Sequence, residues 1–124
     1  MLKKVNRLSK ERDLTKVFRF GKNIAEKHIL LKFSSNRLND SRFAFIVGKK
    51  VNKKAVRRNF LKRQLRAVVA RLISQLKSGY DVIVLVKADF EFPYKQPEIE
   101  QELIQGMAKT GMMLKIENNS NKNN

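Results

Sequence analysis

The sequence predicts one α+β domain in which helices pack against a small mixed β-sheet. A long segment without glycine or proline, from residue 55 to about 77, indicates a helix, and a run of β-branched residues at 80–86 is typical of a central strand. At 124 residues the chain has room for a single core, so we assign residues 1–117 to one domain. The order helix, strands, long helix, strand, helix describes a two-layer α+β sandwich.

The first helix is predicted over residues 9–20. Ser9 is a residue type that caps helices, and Leu14, Val17 and Phe18 follow at helical spacing. Gly21 stands where a left-handed residue would end the helix.

Two strands are predicted after this helix. Residues 28–33 and 42–47 are rich in strand formers, and the polar segment between them is typical of a turn, with Asn36, Asn39 and Asp40. We therefore expect the second of these strands to return beside the first as a hairpin.

The second half of the chain predicts a long helix, a buried strand and a last helix. The long helix carries one apolar stripe, formed by Leu61, Leu65, Val68, Leu72 and Leu76. Gly79 ends it, and the continuous apolar run Tyr80–Val86 follows as a strand. Pro97 suits the first turn of the last helix, whose inward face is predicted to hold Ile99, Leu103 and Met107. The Asn-rich tail over residues 118–124 is expected to be disordered.

Charge composition indicates a polyanionic partner. Lysine and arginine number 28 against 11 acidic residues, a net charge of +17 that a compact fold tolerates more easily when a polyanion neutralises it. Nucleic acid is favoured over a merely basic protein and over an anionic membrane surface. The chain has no cysteine, no signal-peptide-like segment and no apolar run near the ~20 residues of a membrane span, so we expect a cytoplasmic protein.

The strongest local signal is a run of cations without any carboxylate. No acidic residue occurs between Ser41 and Tyr80, whereas solvated helices normally mix charges of both signs. Lys62, Arg63 and Arg66 share an arc of the long helix away from its apolar stripe, and Arg and Lys side chains suit an RNA backbone. The predicted RNA-binding residues are Lys49, Lys50, Lys53, Lys54, Arg57, Arg58, Asn59, Lys62, Arg63 and Arg66.

Residues 49–66 resemble the signature of the bacterial ribonuclease P protein family. In that family a Lys-Lys pair closes a strand, and the next helix carries Arg-Asn-Arg, then Lys-Arg, then Arg. The matching residues here are Lys49, Lys50, Arg58, Asn59, Lys62, Arg63 and Arg66. Phe60 stands where the family usually has its second arginine. The resemblance extends to residues 6–8, 13–21 and 79–84 and covers about residues 5–110.

The resemblance implies a left-handed β-α-β crossover beside the long helix, as in the second domain of ribosomal protein S5, against the usual right-handed preference. It also implies that the cationic helix faces the catalytic RNA, and that a cleft between the sheet and the first helix holds the 5′ leader of precursor tRNA. The residues assigned to this cleft are Phe18, Leu14, Arg12, Lys16, Phe45 and Lys87. Phe43 and Phe45 share one face of their strand, and that face either lines the cleft or fills the core. Phe18 likewise either lines the cleft or packs in the core.

The family also implies a division of labour. The protein is expected to act as a monomer bound 1:1 to the ribonuclease P RNA, to hold no cofactor, and to promote removal of the leader from precursor tRNA by an RNA that requires Mg²⁺. The residues of this chain agree with that expectation: His28 is the sole histidine, and Asp81 and Asp89 flank a strand as edge and turn residues.

Three other function classes are alternatives to a ribonuclease P protein. A ribosomal or other structural RNA-binding protein would share the charge and size but not the leader cleft. A DNA-binding module would need a helix-turn-helix succession that the chain lacks, and a nuclease acting alone would need a cluster of catalytic side chains. Binding that depends on the leader of precursor tRNA would distinguish a ribonuclease P protein from all three.

Overall fold

The computed structural model describes residues 2–88 and 96–114, which contain three helices and four strands. In chain order these are α1 (Glu11–Phe20), β1 (Lys22–Ala25), β2 (Ile29–Ser35), β3 (Arg42–Val47), α2 (Ala55–Leu72), β4 (Tyr80–Val86) and α3 (Gln96–Lys109). Short 3₁₀ turns lie at Lys4–Asn6 and Ile73–Gln75. None of the described helices combines the length and the apolar composition that a membrane span requires. The predicted tail at 118–124 and Asp89 lie outside the described residues.

The four strands form one mixed sheet in the order β1-β2-β4-β3. β4 runs antiparallel to β2 and parallel to β3, and β1 pairs antiparallel with β2. The predicted bounds of the β4 strand and its central position are both confirmed, because its Val and Ile residues are buried toward both faces. The predicted α+β class with a mixed sheet is confirmed as well.

The predicted hairpin between β2 and β3 is wrong, because β4 lies between these two strands. Asn36 donates its backbone N–H to the carbonyl oxygen of Gly79 at 2.8 Å and its Nδ2 to Oδ1 of Asp81 at 2.8 Å. The segment after β2 therefore crosses the end of β4 instead of folding back. A strand that is apolar on both faces is stabilised most in a central position, and this outweighs the turn-forming residues beside it.

The main core lies between one face of the sheet and the helices α2 and α3. Its buried side chains come from alternate positions of the strands and one stripe of each helix, and they include Ile29, Leu31, Phe33, Phe43, Phe45, Val47, Leu61, Leu65, Val68, Val69, Val82, Val84, Val86, Ile99, Leu103 and Met107. The predicted inward face of the last helix is thus confirmed. Full burial of one such side chain contributes about 1.5–3 kcal/mol.

The opposite face of the sheet is partly covered by α1, through a smaller cluster of Leu8, Val17 and Ile83. Alternation along β3 directs residues 44 and 46 toward α1 and residues 43 and 45 toward α2. Phe43 and Phe45 are only 2% and 9% exposed and belong to the main core. The assignment of Phe45 to the leader cleft is therefore wrong, since Phe45 lies on the face of the sheet away from α1.

The start and end of α1 differ from the prediction. Lys10, not Ser9, occupies the cap position, and no side chain caps the helix. Gly21 has a φ of −75°, so it is not left-handed. Glycine is needed there for a different reason: a Cβ at this position would lie 2.5 Å from the carbonyl oxygen of Val17 and 3.0 Å from that of Phe33. The missing side chain lets α1 turn closely against β2.

The segment from β3 through α2 to β4 joins two parallel neighbouring strands, which is the β-α-β unit that the resemblance implies. The left-handedness of this crossover stays a prediction. α2 ends at Leu72, before the predicted end near Lys77, because the chain tightens into a 3₁₀ turn. Leu76 follows that turn in an extended conformation and remains 7% exposed, so it continues the apolar stripe beyond the helix.

Candidate nucleic-acid interface

The first half of α2 and the loop before it present the predicted cations on one surface, which we call the α2 basic surface. It comprises Lys49, Lys50, Lys53, Lys54, Arg57, Arg58, Asn59, Lys62, Arg63 and Arg66. Arg58, Lys62 and Arg66 are half-buried and the others are exposed. The opposite side of the same helix carries the buried residues Leu61, Leu65, Val68 and Val69. Packing of that apolar stripe therefore fixes the direction in which the cations point.

Arg58 holds the loop before α2 against the helix. Its Nη1 donates to the carbonyl oxygens of Asn52 at 3.0 Å and Lys53 at 2.9 Å. Oδ1 of Asn52 in turn accepts the backbone N–H of Lys54 at 2.9 Å. Arg58 thus positions Lys53 and Lys54 at the start of the helix, a role that its place in the cationic run did not predict.

The charges of this surface are not compensated within the described part of the protein. Among the described residues, α2 forms an ion pair at its other end, where Arg71 lies 2.6 Å from Glu100. No acidic residue occurs in the first turn of α2, although the positive end of the helix dipole favours carboxylates there and disfavours cations. Phosphate groups would relieve this accumulation of positive charge, and helix starts bind them readily.

The remaining side chains on the outward side of α2 differ in their surroundings. Arg66 lies over the ring of Phe45, with its guanidinium carbon 6.0 Å from the ring centre. Lys62 and Arg63 make no side-chain hydrogen bond or ion pair with another described residue. Phe60 is 45% exposed on the same helix, so it faces outward and not into the core.

A second candidate surface lies where α1 packs on part of the sheet, and we call it the α1 cleft. Phe18 on α1 is 43% exposed and lies against Lys32 of β2, whose Nζ is 5.7 Å from the ring centre. Nζ of Lys32 also donates to Oδ1 of Asn23 at 2.9 Å. Leu30 and Leu85 are paired across β2 and β4 on this face and remain partly exposed. The α1 cleft therefore combines an aromatic ring, a cation and an apolar floor.

Apart from Phe45, which lies in the main core, the residues predicted for the cleft fall in three different environments. Phe18 lies in the α1 cleft, and Leu14 packs against the cluster beneath it. Lys87 lies beyond the end of β4, where its Nζ donates to the carbonyl oxygen of Glu26. Arg12 and Lys16 lie elsewhere: they line a shallow concavity built entirely from residues 10–20.

Sequence reasoning did not assign Leu30 or Leu85 to the cleft. The signal that could have found them is the period of two along β2, which places residues 30 and 32 on the face opposite Leu31 and Phe33. Without the position of α1, however, the sequence did not show which face of this strand stays open.

His28 and Glu102 form a structural contact. No group of three His, Cys, Asp or Glu residues within residues 2–88 and 96–114 could hold a metal ion. The Nδ1 atom of His28 lies 2.5 Å from Oε2 of Glu102, and Oε1 of Glu102 accepts the backbone N–H of His28 at 2.7 Å. This contact ties α3 to the start of β2.

Comparison with known proteins identifies the family. The family model described as Ribonuclease P matches residues 2–111. The ribonuclease P protein component of Pseudanabaena sp. is 38% identical over 115 residues, which cover 91% of this chain and 97% of that protein. The chain belongs to the ribonuclease P protein family. The component from Syntrophomonas wolfei is 36% identical over 88 residues, 71% of this chain and 73% of the relative.

Solved structures of ribonuclease P proteins share the fold. The protein from Thermotoga maritima aligns with a TM-score of 0.75 at 25% identity, covering 83% of this chain and 96% of its own. The protein from Staphylococcus aureus aligns with a TM-score of 0.79 at 21% identity, covering 87% and 97%. The chain is therefore the protein component of the ribonuclease P endoribonuclease, its partner is the ribonuclease P RNA, and its role is in tRNA 5′ processing. The family decides against a ribosomal or other structural RNA-binding protein.

Proposed function

We propose that the chain binds the ribonuclease P RNA through the α2 basic surface and the 5′ leader of precursor tRNA in the α1 cleft, as one monomer per RNA. The observation that carries this proposal is the uncompensated charge of the α2 basic surface. Most of its side chains are exposed, the apolar stripe of α2 packs on the other side of the helix, and the sequence supplies no carboxylate between residues 42 and 79. A structured RNA presents the phosphate groups that such a surface binds.

The α1 cleft supports the second contact. A single strand exposes its bases, and these stack on aromatic rings while cations contact the backbone. Phe18 supplies the ring, and Lys32 supplies a cation beside it. The two surfaces lie on opposite faces of the sheet, so one protein can hold the RNA subunit and the leader at the same time.

The proposed division of labour follows from these contacts. The RNA subunit carries out the Mg²⁺-dependent hydrolysis of the phosphodiester bond, and the protein holds no cofactor of its own. Cations that neutralise phosphate repulsion between two RNAs reduce the need for metal ions, so the protein should matter most when Mg²⁺ is scarce.

Reconstitution tests this proposal. Cleavage of precursor tRNA at low Mg²⁺ should be measured with a bacterial ribonuclease P RNA alone, with this protein alone, and with both. We expect cleavage at the mature 5′ end only when both are present. Absence of stimulation by a folded protein that binds the RNA would contradict the proposed role.

A second measurement separates leader binding from RNA-subunit binding. Affinity of the assembled enzyme for precursor tRNA should exceed its affinity for mature tRNA, and it should rise as the leader is lengthened by several nucleotides. An affinity that does not depend on leader length would show that the α1 cleft does not bind the leader. Binding of the RNA subunit to the α2 basic surface would remain supported.

A further inference from the structure

The outward side of α2 carries an apolar strip inside the α2 basic surface. Val56 is 78% exposed and Phe60 is 45% exposed. They stand four residues apart and are therefore neighbours on one face of the helix. A single exposed apolar side chain is ordinary on a protein surface, but a pair that includes an aromatic ring in the most cationic region of the chain requires a more specific explanation.

Two arginines flank the ring of Phe60. Arg57 precedes it by three residues and Arg63 follows it by three, so both are its neighbours on the helix surface, with Cβ atoms about 5–6 Å away. Both arginines are exposed, and neither side chain makes an ion pair or hydrogen bond with a described residue. A flat apolar ring is thus presented between two exposed guanidinium groups.

An unpaired nucleotide matches this arrangement. Its base has a flat face that stacks on an aromatic ring, and the phosphates on its two sides are the groups that guanidinium forks bind. The bases of a continuous duplex are stacked on one another and unavailable to the ring. An apolar protein partner would cover the guanidinium groups without neutralising them, which is costly.

We propose that Phe60 stacks on an unpaired base of the ribonuclease P RNA, while Arg57 and Arg63 contact the phosphates on either side of that base. This inference rests on the proposed function, because it requires α2 to face that RNA. The occupant is the RNA subunit and not the leader, since Phe60 lies on α2 and the α1 cleft opens on the opposite face of the sheet.

Fluorescence offers a direct test because the chain contains no tryptophan. Phe60→Trp introduces a single indole whose emission is quenched when it stacks on a base. Titration with a bacterial ribonuclease P RNA should quench this emission over the same concentration range in which the complex forms. The matched control is Leu38→Trp, because Leu38 is 50% exposed in the turn after β2, away from α2. Equal quenching in both variants, or none in Phe60→Trp at saturating RNA, would overturn the proposal.

Salt dependence separates stacking from charge. Phe60→Ala should weaken RNA binding about 5- to 150-fold, the range found for loss of one base stack, and should leave the slope of log K against log[salt] unchanged. Phe60→Arg should instead steepen that slope by about one unit. Val56→Ala is the control for loss of apolar surface without a ring, and it should weaken binding less than Phe60→Ala does.

The outcomes distinguish this inference from the proposed function. If substitution of the cations on α2 weakens RNA binding while Phe60→Ala binds as tightly as wild type, the base stack is overturned and the α2 interface stands. If neither change affects binding, the base stack and the proposed α2 interface are both overturned. A loss of affinity in Phe60→Ala that accompanies a change in the protein's oligomeric state would assign the strip to contact between copies of this chain, and this also would overturn the proposal.

Discussion

The guanidinium group of Arg42 holds the carboxylate of Asp81 through two parallel hydrogen bonds, from Nε to Oδ1 at 2.8 Å and from Nη2 to Oδ2 at 2.7 Å. Its Nη1 donates to Oδ2 of Asp13 at 3.2 Å, so one side chain links α1 to β3 and β4. The hydrogen bond to Asp81 raises the pKa of Arg42, although burial acts in the opposite direction. Arg42 thereby ties α1 to the sheet.

Arg42→Met should reduce the free energy of unfolding by about 3 kcal/mol, because it leaves the buried carboxylate of Asp81 without its charged partner. Since the pKa of Arg42 is raised, its contribution is complete at neutral pH and is lost only as the pH rises through that raised value in strong alkali. The loss should therefore be equal at about pH 6 and about pH 8. Denaturant unfolding measures it.

The control for this variant is Asp13→Asn, which removes only the charge of the longer contact and should cost at most about 1 kcal/mol. A stability of Arg42→Met equal to that of the control would show that the Asp81 contact does not secure the fold.

Gly21→Ala should destabilise the protein by about 1–3 kcal/mol. The added Cβ would lie 2.5 Å from the carbonyl oxygen of Val17, and a backbone atom at that distance cannot move aside as a flexible side chain can. The matched control is Gly48→Ala, where a Cβ would meet nothing within 4 Å. Thermal unfolding of both variants measures the difference, and equal melting temperatures would contradict the close approach of α1 and β2.

Phe18→Ala should reduce the affinity of the assembled enzyme for precursor tRNA with a leader by about 1–3 kcal/mol, through loss of a base stack. Affinity for mature tRNA should not change. Phe20→Ala is the control, because Phe20 is 72% exposed on α1 and lines a concavity made of α1 residues instead of the sheet. If both variants lose the same affinity, or if mature tRNA is affected equally, Phe18 does not act through the leader.

The sequence predicted the elements whose pattern is strong over a long stretch. The apolar run of β4 identified its bounds and its central place, because a strand that is apolar on both faces has few other stable positions. The cations of α2 were predicted to share one surface because their spacing, read against the stripe of Leu61 and Leu65, leaves little choice of direction.

The missed features depend on contacts between distant segments. β1 has four residues, most of them exposed, and it becomes a strand only by pairing with β2 at the edge of the sheet. The neighbour of β3 could not be predicted from the turn residues after β2, because the partner lies almost forty residues further along the chain, in β4. The face of the sheet on which Phe45 lies could not be predicted, because the alternation along β3 separates the two faces of the strand without showing which one α1 covers.

The roles of individual side chains within the basic run were also not predictable. Arg58 matches the family signature, yet its guanidinium also bonds the backbone of residues 52 and 53. Such a contact depends on the path of the loop before α2, which has no periodic pattern. For this reason Arg57, Lys62 and Arg63, which make no side-chain contact of this kind, are better probes of RNA binding than Arg58.

Counterion release gives the most direct test of the α2 basic surface. Affinity for a bacterial ribonuclease P RNA should fall steeply between about 50 and about 200 mM salt. The combined substitution of Arg57, Lys62 and Arg63 by Ala should reduce the slope of log K against log[salt] by about two to three units. A control that removes three exposed cations elsewhere, Lys27→Ala, Arg37→Asn and Lys77→Ala, should leave the slope unchanged.

The measurement to make first is therefore the salt dependence of RNA binding by wild type, the α2 triple variant and this control. A shallower slope in the α2 variant alone is the result that the account predicts. Equal slopes in all three proteins would contradict it, because the RNA would then be bound without the cations of α2.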